Sequence, residues 1–115
     1  APTLVFAPGG GLVLAIGAAG GQTIPVQVAR GIIAIIDWKL PVAQALAVPV
    51  LFAPSDRLIV EKGSALEAMI PALKALGHAD VVAYELPLKT NAIALTPRGL
   101  EGAGDPRSEG GAVRP

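Results

Sequence analysis

The sequence predicts an α+β fold with helices over one side of a β-sheet, and three observations carry that expectation. Two β-rich runs, Thr3 to Phe6 and Leu12 to Ile16, flank Pro8-Gly9-Gly10-Gly11, which is a hairpin signal. A helical periodicity then runs from Thr23 to Trp38. Three extended runs, Val81 to Leu86, Ala92 to Leu95 and Leu100 to Ala103, follow later, the last pair joined by the turn Thr96-Pro97-Arg98-Gly99.

Neither opening run alternates cleanly, and strands apolar on both faces belong in the middle of a layered structure. The long helix sets Ile24, Gln27, Gly31, Ile35 and Trp38 along one side and Val28, Ile32 and Ile36 along the next. So broad an apolar surface predicts a buried helix covered on most sides. After a break at Asp37 to Leu40, Pro41 suits the first turn of a short alanine-rich helix through Val48, stopped by Pro49. Val50 to Phe52 and Leu58 to Glu61 are extended runs around a polar loop. A third helix is expected from Ser64 to Gly77, with Leu66, Met69, Ile70, Leu73 and Leu76 at helical spacing. Pro71 either kinks that helix or marks its true start. Residues 108–115 are polar and glycine-containing, and are expected to form a frayed tail.

With 115 residues there is room for one small domain or for part of a larger one. A composition 52% hydrophobic and 16% charged is rich for so short a chain, so much of the apolar surface is expected to meet something else. Nine Lys and Arg balance nine Asp and Glu with no basic block or aromatic platform, which argues against nucleic-acid binding. Cysteine is absent, so disulfides and Cys-ligated metals are excluded, while the compartment stays open. The single histidine, His78, argues against a His-built metal site. The most apolar stretch, Ile24 to Trp38, is interrupted by Gln27, Arg30 and Asp37 and falls short of the roughly 20 residues of a membrane span. No signal peptide is visible, and the chain opens on Ala1-Pro2 and a strand, as a fragment or processed chain would.

The segment Gly17-Ala18-Ala19-Gly20-Gly21 lies between the second strand and the long helix. A glycine turn at a helix start offers unpartnered N–H groups, the positive end of the helix dipole and room for close approach, so it suits a phosphate, a carboxylate or a transient oxyanion. The plainer reading is that Gly20 and Gly21 merely permit a tight turn and close packing. No Lys-Ser or Lys-Thr follows Gly21, and the glycine spacing does not fit the dinucleotide fingerprint. His78 sits after Gly77 at a helix end, where a structural role suffices. Ser64 begins Ser64-Ala65-Leu66-Glu67, which has capping-box spacing. Asp105 and Arg107 flank Pro106 and either bind substrate or pin the tail, with pinning the favoured reading. No nucleophile with an activating neighbour is present, so the turn lacks a chemical partner within this chain.

The order of features resembles the C-terminal part of the small subunit of γ-glutamyltranspeptidases. The resemblance runs from Ala1-Pro2-Thr3-Leu4-Val5-Phe6 through Gly17 to Gly21 and the long helix ending at Asp37. It continues through Leu40, Ala43, Ala45, Ala47 and Pro49, then Val60-Glu61-Lys62-Gly63, Gly77-His78, Thr90-Asn91-Ala92-Ile93 and Gly102-Ala103-Gly104-Asp105-Pro106-Arg107-Ser108. It covers nearly the whole chain, residues 1–115. It implies a four-layer αββα sandwich of the N-terminal-nucleophile hydrolases, which cut themselves into two subunits and use the exposed threonine to attack the γ-glutamyl amide of glutathione and related compounds. By the same resemblance, Gly20 and Gly21 supply backbone N–H groups to the oxyanion, no cofactor is required, and the threonine would precede Ala1. The implied partners are the remainder of the small subunit, the large subunit and a γ-glutamyl substrate. A periplasmic or extracellular location is implied in the same way.

The chain has Ala18-Ala19 where the family usually has Ser-Pro, and Val50, Phe52 and Ala53 where it has an Arg with nearby His or polar residues. Asn91-Ala92 replaces Gln-Ser, and Gly104 replaces Ser. The alternatives are a related amide acylase of cephalosporin-acylase type and a non-catalytic structural or interaction domain. On any of these readings the isolated 115 residues are expected to catalyse nothing and to self-associate through uncovered apolar surface.

Overall fold

A computed structural model of the chain describes residues 2–114. The chain divides into two compact units, one formed by Ala1–Val48 with Leu88–Pro115 and the other by Pro49–Pro87.

The first unit is built on a four-stranded antiparallel sheet. Its strands are β1 (Thr3–Phe6), β2 (Leu12–Ala19), β6 (Lys89–Thr96) and β7 (Gly99–Gly104), in the order β1-β2-β6-β7. The β1–β2 hairpin closes through Gly10 N–H to Ala7 O and Ala7 N–H to Gly11 O, both 2.8 Å, with Gly10 at φ +89°. A short 3₁₀ turn, Gly21–Thr23, then leads into α1 (Ile24–Ile36), which has Pro25 in its first turn, and α2 (Val42–Ala47) follows.

Strand β6 shows why the sheet has two unlike faces. Thr90, Ala92 and Ala94 are buried while Lys89, Asn91, Ile93 and Leu95 are exposed, the two-residue alternation of a strand covered on one side. Register places Ile16 opposite Ala92 and Leu14 opposite Ala94, and these residues form the core with Val42 and Leu46 from α2. Burying Leu14 and Leu46, both at 0% exposure, stabilises the unit by about 1.5–3 kcal/mol each. Small residues let the helix sit close: a Cβ at Gly31 of α1 would lie 2.5 Å from Ile16 Cδ1. The opposite face is largely uncovered, with only the chain around Gly110 and Ala112 lying against Asn91, Gly104 and Gly102. Leu4, Phe6, Ile93, Leu95 and Leu100 are all between 45% and 63% exposed, so the expected sheet with helices on one side and an uncovered apolar face is what the chain forms.

Helix α1 corrects one expectation. Its buried stripe is Gln27, Arg30, Gly31 and Ala34, while Ile33 and, just beyond the helix, Trp38 are exposed. The fully buried positions are small or polar, with Gly31 closest to β2, while Val28, Ile32 and Ile35 pack partly buried against the same core and Pro25, Ala29 and Ile33 face outward. Arg30 spans from α1 to the end of α2, where its Nη1 donates to the carbonyls of Leu46 and Val48. A guanidinium there complements the negative end of the α2 dipole. At the other end of α2, Glu101 Oε1 accepts the Val42 N–H at 2.7 Å.

The second unit carries β3 (Leu51–Phe52), β4 (Arg57–Glu61) and β5 (Asp80–Tyr84). β3 pairs antiparallel and β5 parallel to β4. The parallel connection passes through a 3₁₀ segment, Ala65–Met69, and α3 (Ile70–Ala75), whose Leu66, Ile70 and Leu73 pack on Leu58, Val60 and Val81. One continuous helix from Ser64 is therefore replaced by two pieces, and Pro71 marks the start of α3, where a missing N–H costs nothing. Ser64 caps the first piece by accepting the Leu66 N–H, and Glu67 accepts the Gly63 N–H at 2.5 Å. Helix α3 ends with Gly77 at φ +107°. Gly77 N–H donates to Lys74 O and His78 N–H to Leu73 O, the paired bonds of a Schellman cap.

Candidate functional site

The glycine turn lies wholly in the first unit, at the junction of β2 and the 3₁₀ turn. Gly20 is at φ +134° and Gly21 at φ +62°, two successive left-handed residues that only glycine adopts without strain. A Cβ at Gly21 would meet nothing within 4 Å, so backbone conformation rather than space requires the residue. Gly21 is exposed and Gly20 half-buried. Gly21 opens the 3₁₀ turn, and an N–H in that position has no carbonyl one turn earlier to bond.

Behind the turn lies a polar cluster that composition and periodicity do not announce. Gln27 is at 0% exposure, yet every capacity of its amide is used. Its Nε2 donates to Ala19 O at 2.9 Å and to Thr23 Oγ1 at 2.8 Å, and its Oε1 accepts from Lys89 N–H and Thr90 Oγ1, both at 2.9 Å. Thr23 Oγ1 in turn donates to Gly20 O at 3.0 Å, as does Thr23 N–H at 3.3 Å. The end of β2, the glycine turn, α1 and the start of β6 are thus tied through one buried side chain.

A groove of about 830 Å³ flanks the last residues of β2. Gly17, Ala18 and Ala19 form one part, and Lys89, Asn91 and residues 107–110 the rest. Arg107 is positioned there by Asp105, which is fully buried. Its carboxylate accepts from Arg107 Nε at 2.7 Å, Nη2 at 2.9 Å and the Arg107 N–H at 2.9 Å, and Arg107 Nη2 also donates to Leu46 O. Asp105 N–H donates to Thr90 O at 2.7 Å. The pair therefore pins the chain after β7 to β6 and α2, the favoured of the two readings of these residues. Beyond it the chain turns back over the sheet, so that a Cβ at Gly104 would fall 2.6 Å from the Gly110 carbonyl group.

Two further candidates, Ser64 and His78, are residues of the second unit. Ser64 is occupied as a cap, its Oγ donating to Glu61 O at 2.6 Å. His78 is exposed at the end of α3. Among the described residues no group of three or more His, Cys, Asp or Glu is placed to hold a metal ion, and no helix is long and apolar enough to cross a membrane.

The antiparallel sheet with helices on one face, and with a glycine turn between β2 and α1, is an α+β arrangement that fits part of a layered N-terminal-nucleophile hydrolase sandwich. The chain belongs to the γ-glutamyltranspeptidase family, whose model matches residues 1–114. Among solved structures it is similar to an acivicin-inhibited γ-glutamyltranspeptidase, with 27% identity, 96% of this chain and 61% of that chain covered, and a TM-score of 0.83. It is also similar to a mutant γ-glutamyltranspeptidase of Helicobacter pylori, with 25% identity, 94% and 60% covered, and a TM-score of 0.81. The Bacillus anthracis transpeptidase CapD shares the fold at 18% identity, 100% and 69% covered, and a TM-score of 0.74. No curated protein sequence matches the chain. The chain spans about three-fifths of the length of the first two solved relatives.

Proposed function

We propose that this chain is the part of a γ-glutamyl acyltransferase or hydrolase that holds the oxyanion, with Gly20 and Gly21 donating their backbone N–H groups. The observation that carries the reading is the pair of successive positive-φ glycines at a strand-to-helix junction in a chain of this family. In the reaction, a threonine hydroxyl supplied outside these 115 residues adds to the γ-glutamyl carbonyl while its own α-amine takes the proton. The carbonyl oxygen becomes an anion that the two amides stabilise. The intermediate collapses as the protonated α-amine returns its proton to the leaving nitrogen, expelling the amine and leaving an acyl-threonine ester, from which water or an amino acid takes the acyl group.

The same reading assigns the remainder of the small subunit and the large subunit as partners and a periplasmic or extracellular setting, in keeping with family membership. A proline at Gly21 is an unsuitable test, because proline holds φ near −65° and Gly21 sits at +62°. Replacing the Gly20–Gly21 amide by an ester deletes the donor and keeps the conformation. In the complete protein, assayed with a γ-glutamyl anilide, this change is expected to lower kcat by about 10²–10³-fold. An unchanged kcat refutes the assignment.

A further inference from the structure

We infer that Thr23 and Gln27 are positioning residues that aim the two oxyanion amides; the inference rests on the oxyanion reading of Gly20 and Gly21. Neither side chain touches substrate on this account. Each acts on a carbonyl belonging to the same peptide unit as one of the donors.

The argument follows from the planarity of the peptide bond. In a trans peptide the C=O of one residue and the N–H of the next are fixed antiparallel in one plane, so a force that orients one orients the other. The Gly20 N–H shares its plane with the Ala19 carbonyl, and the Gly21 N–H shares its plane with the Gly20 carbonyl. Gln27 Nε2 holds Ala19 O, and Thr23 holds Gly20 O through both its hydroxyl and its N–H. Both carbonyls are drawn toward the buried cluster at the start of α1, and both N–H groups are turned away from it.

Glycine makes such restraint necessary. Two consecutive residues without Cβ atoms have the widest backbone freedom, and a donor that must find its direction during the reaction loses the advantage of a preorganised site. The restraint is itself anchored. Gln27 Oε1 accepts two donors from β6, and Thr90, one of them, is at 0% exposure with its carbonyl taken by Asp105 N–H. With the Ala19 carbonyl facing Nε2 and the Lys89 N–H facing Oε1, a flipped amide would oppose like groups at both backbone contacts, so its orientation is determined, and the Thr23 and Thr90 hydroxyls, which can donate or accept, complete the set.

The test uses the complete protein, with Thr23→Val, which keeps the branched shape and loses the hydroxyl, and Thr23→Ser, which keeps the hydroxyl. Rates are expressed per active site titrated with a covalent γ-glutamyl inhibitor, so misfolded protein does not enter. Thr23→Val is expected to lower kcat about tenfold with KM for the γ-glutamyl anilide unchanged, and Thr23→Ser to restore most of the loss. Affinity for a γ-glutamyl boronate, whose tetrahedral adduct carries an anionic oxygen, is expected to fall in parallel with kcat. Gln27→Met, which keeps an unbranched side chain and loses all four bonds, is the second variant and is expected to show the same split. A soluble Thr23→Val or Gln27→Met protein with full kcat per active site overturns the inference, as does a Thr23→Ser protein no better than Thr23→Val. If kcat resists these changes but collapses in the Gly20–Gly21 ester, positioning fails and the oxyanion reading stands; if the ester is also fully active, the oxyanion reading itself fails.

Discussion

Replacing Asp105 by alanine separates its two readings, pin or substrate ligand. The carboxylate is fully buried and accepts three bonds from Arg107, whose side chain is 24% exposed. Deleting one partner of a fully buried ion pair costs about 3–5 kcal/mol, largely because the other charge is stranded. Here the stranded guanidinium keeps Leu46 O and reaches solvent over part of its surface, so the cost drops to about 2–3 kcal/mol. For a domain of 150–250 residues each kcal/mol moves Tm by about 2–4 °C, so Asp105→Ala is expected to lower Tm by about 4–12 °C. Asp105→Asn, which keeps one acceptor oxygen and loses the charge, should fall between wild type and alanine. Thermal unfolding followed by circular dichroism on the complete protein measures this, and the same preparations are assayed for KM. An unchanged Tm with a raised KM refutes the pin and makes Asp105 part of the substrate site.

The ion pair between Arg57 and Asp80 is the contrasting case. Its Nε–Oδ2 distance is also 2.7 Å, but the side chains are 56% and 47% exposed, so Asp80→Asn should change stability by less than about 1 kcal/mol in the same unfolding measurement. Gly31→Val should destabilise by about 1–3 kcal/mol, because even its Cβ falls 2.5 Å from Ile16 Cδ1; a stability equal to wild type shows that the Ile16 side chain yields without cost. Ser64→Ala should cost about 0.5–2 kcal/mol, the loss of one helix cap, and leave kcat intact; a lost kcat reopens Ser64 as a nucleophile. The isolated 115 residues should show no γ-glutamyl anilide cleavage and should self-associate through the open sheet face. Light scattering should then find smaller assemblies after Ile93→Lys with Leu95→Glu, and a monomer before mutation contradicts the exposed-face account.

The elements most legible in the sequence are those whose signals are local. The Pro8 to Gly11 hairpin, the short helix stopped by Pro49, the Thr96 to Gly99 turn and the cap at Ser64 each depend on a few adjacent residues, and each forms as the sequence predicts. Two helical readings were incomplete for one reason. Periodicity reports which residues are apolar, not what lies against them. In α1 the fully buried positions are Gly31, Ala34 and two polar side chains, while Val28, Ile32 and Ile35 pack against the core only partly buried and Ile33 is exposed. Between Ser64 and Gly77 the apolar spacing looks continuous, but Pro71 lacks the N–H that a continuous helix would need, so a 3₁₀ segment precedes α3.

The turn and its support differ in legibility for a physical reason as well. Gly17 to Gly21 can be read in one line of sequence because backbone donors need only a permissive conformation and a helix start. Gln27 cannot. Its four partners come from Ala19, Thr23, Lys89 and Thr90, and the last two lie more than sixty positions away. In a linear reading a glutamine within an apolar helix counts only as an interruption of hydrophobicity. Its meaning appears when β6 is placed beside β2 in the register that sets Ala19 opposite Lys89. A buried amide is then obligatory, since removing it would leave an N–H, a carbonyl and two hydroxyls without that partner in the interior. The general signal is a single uncharged polar residue on the buried side of a helix one turn after a glycine-rich entry: where the backbone is freest, a side chain that can bond both ways is needed behind it.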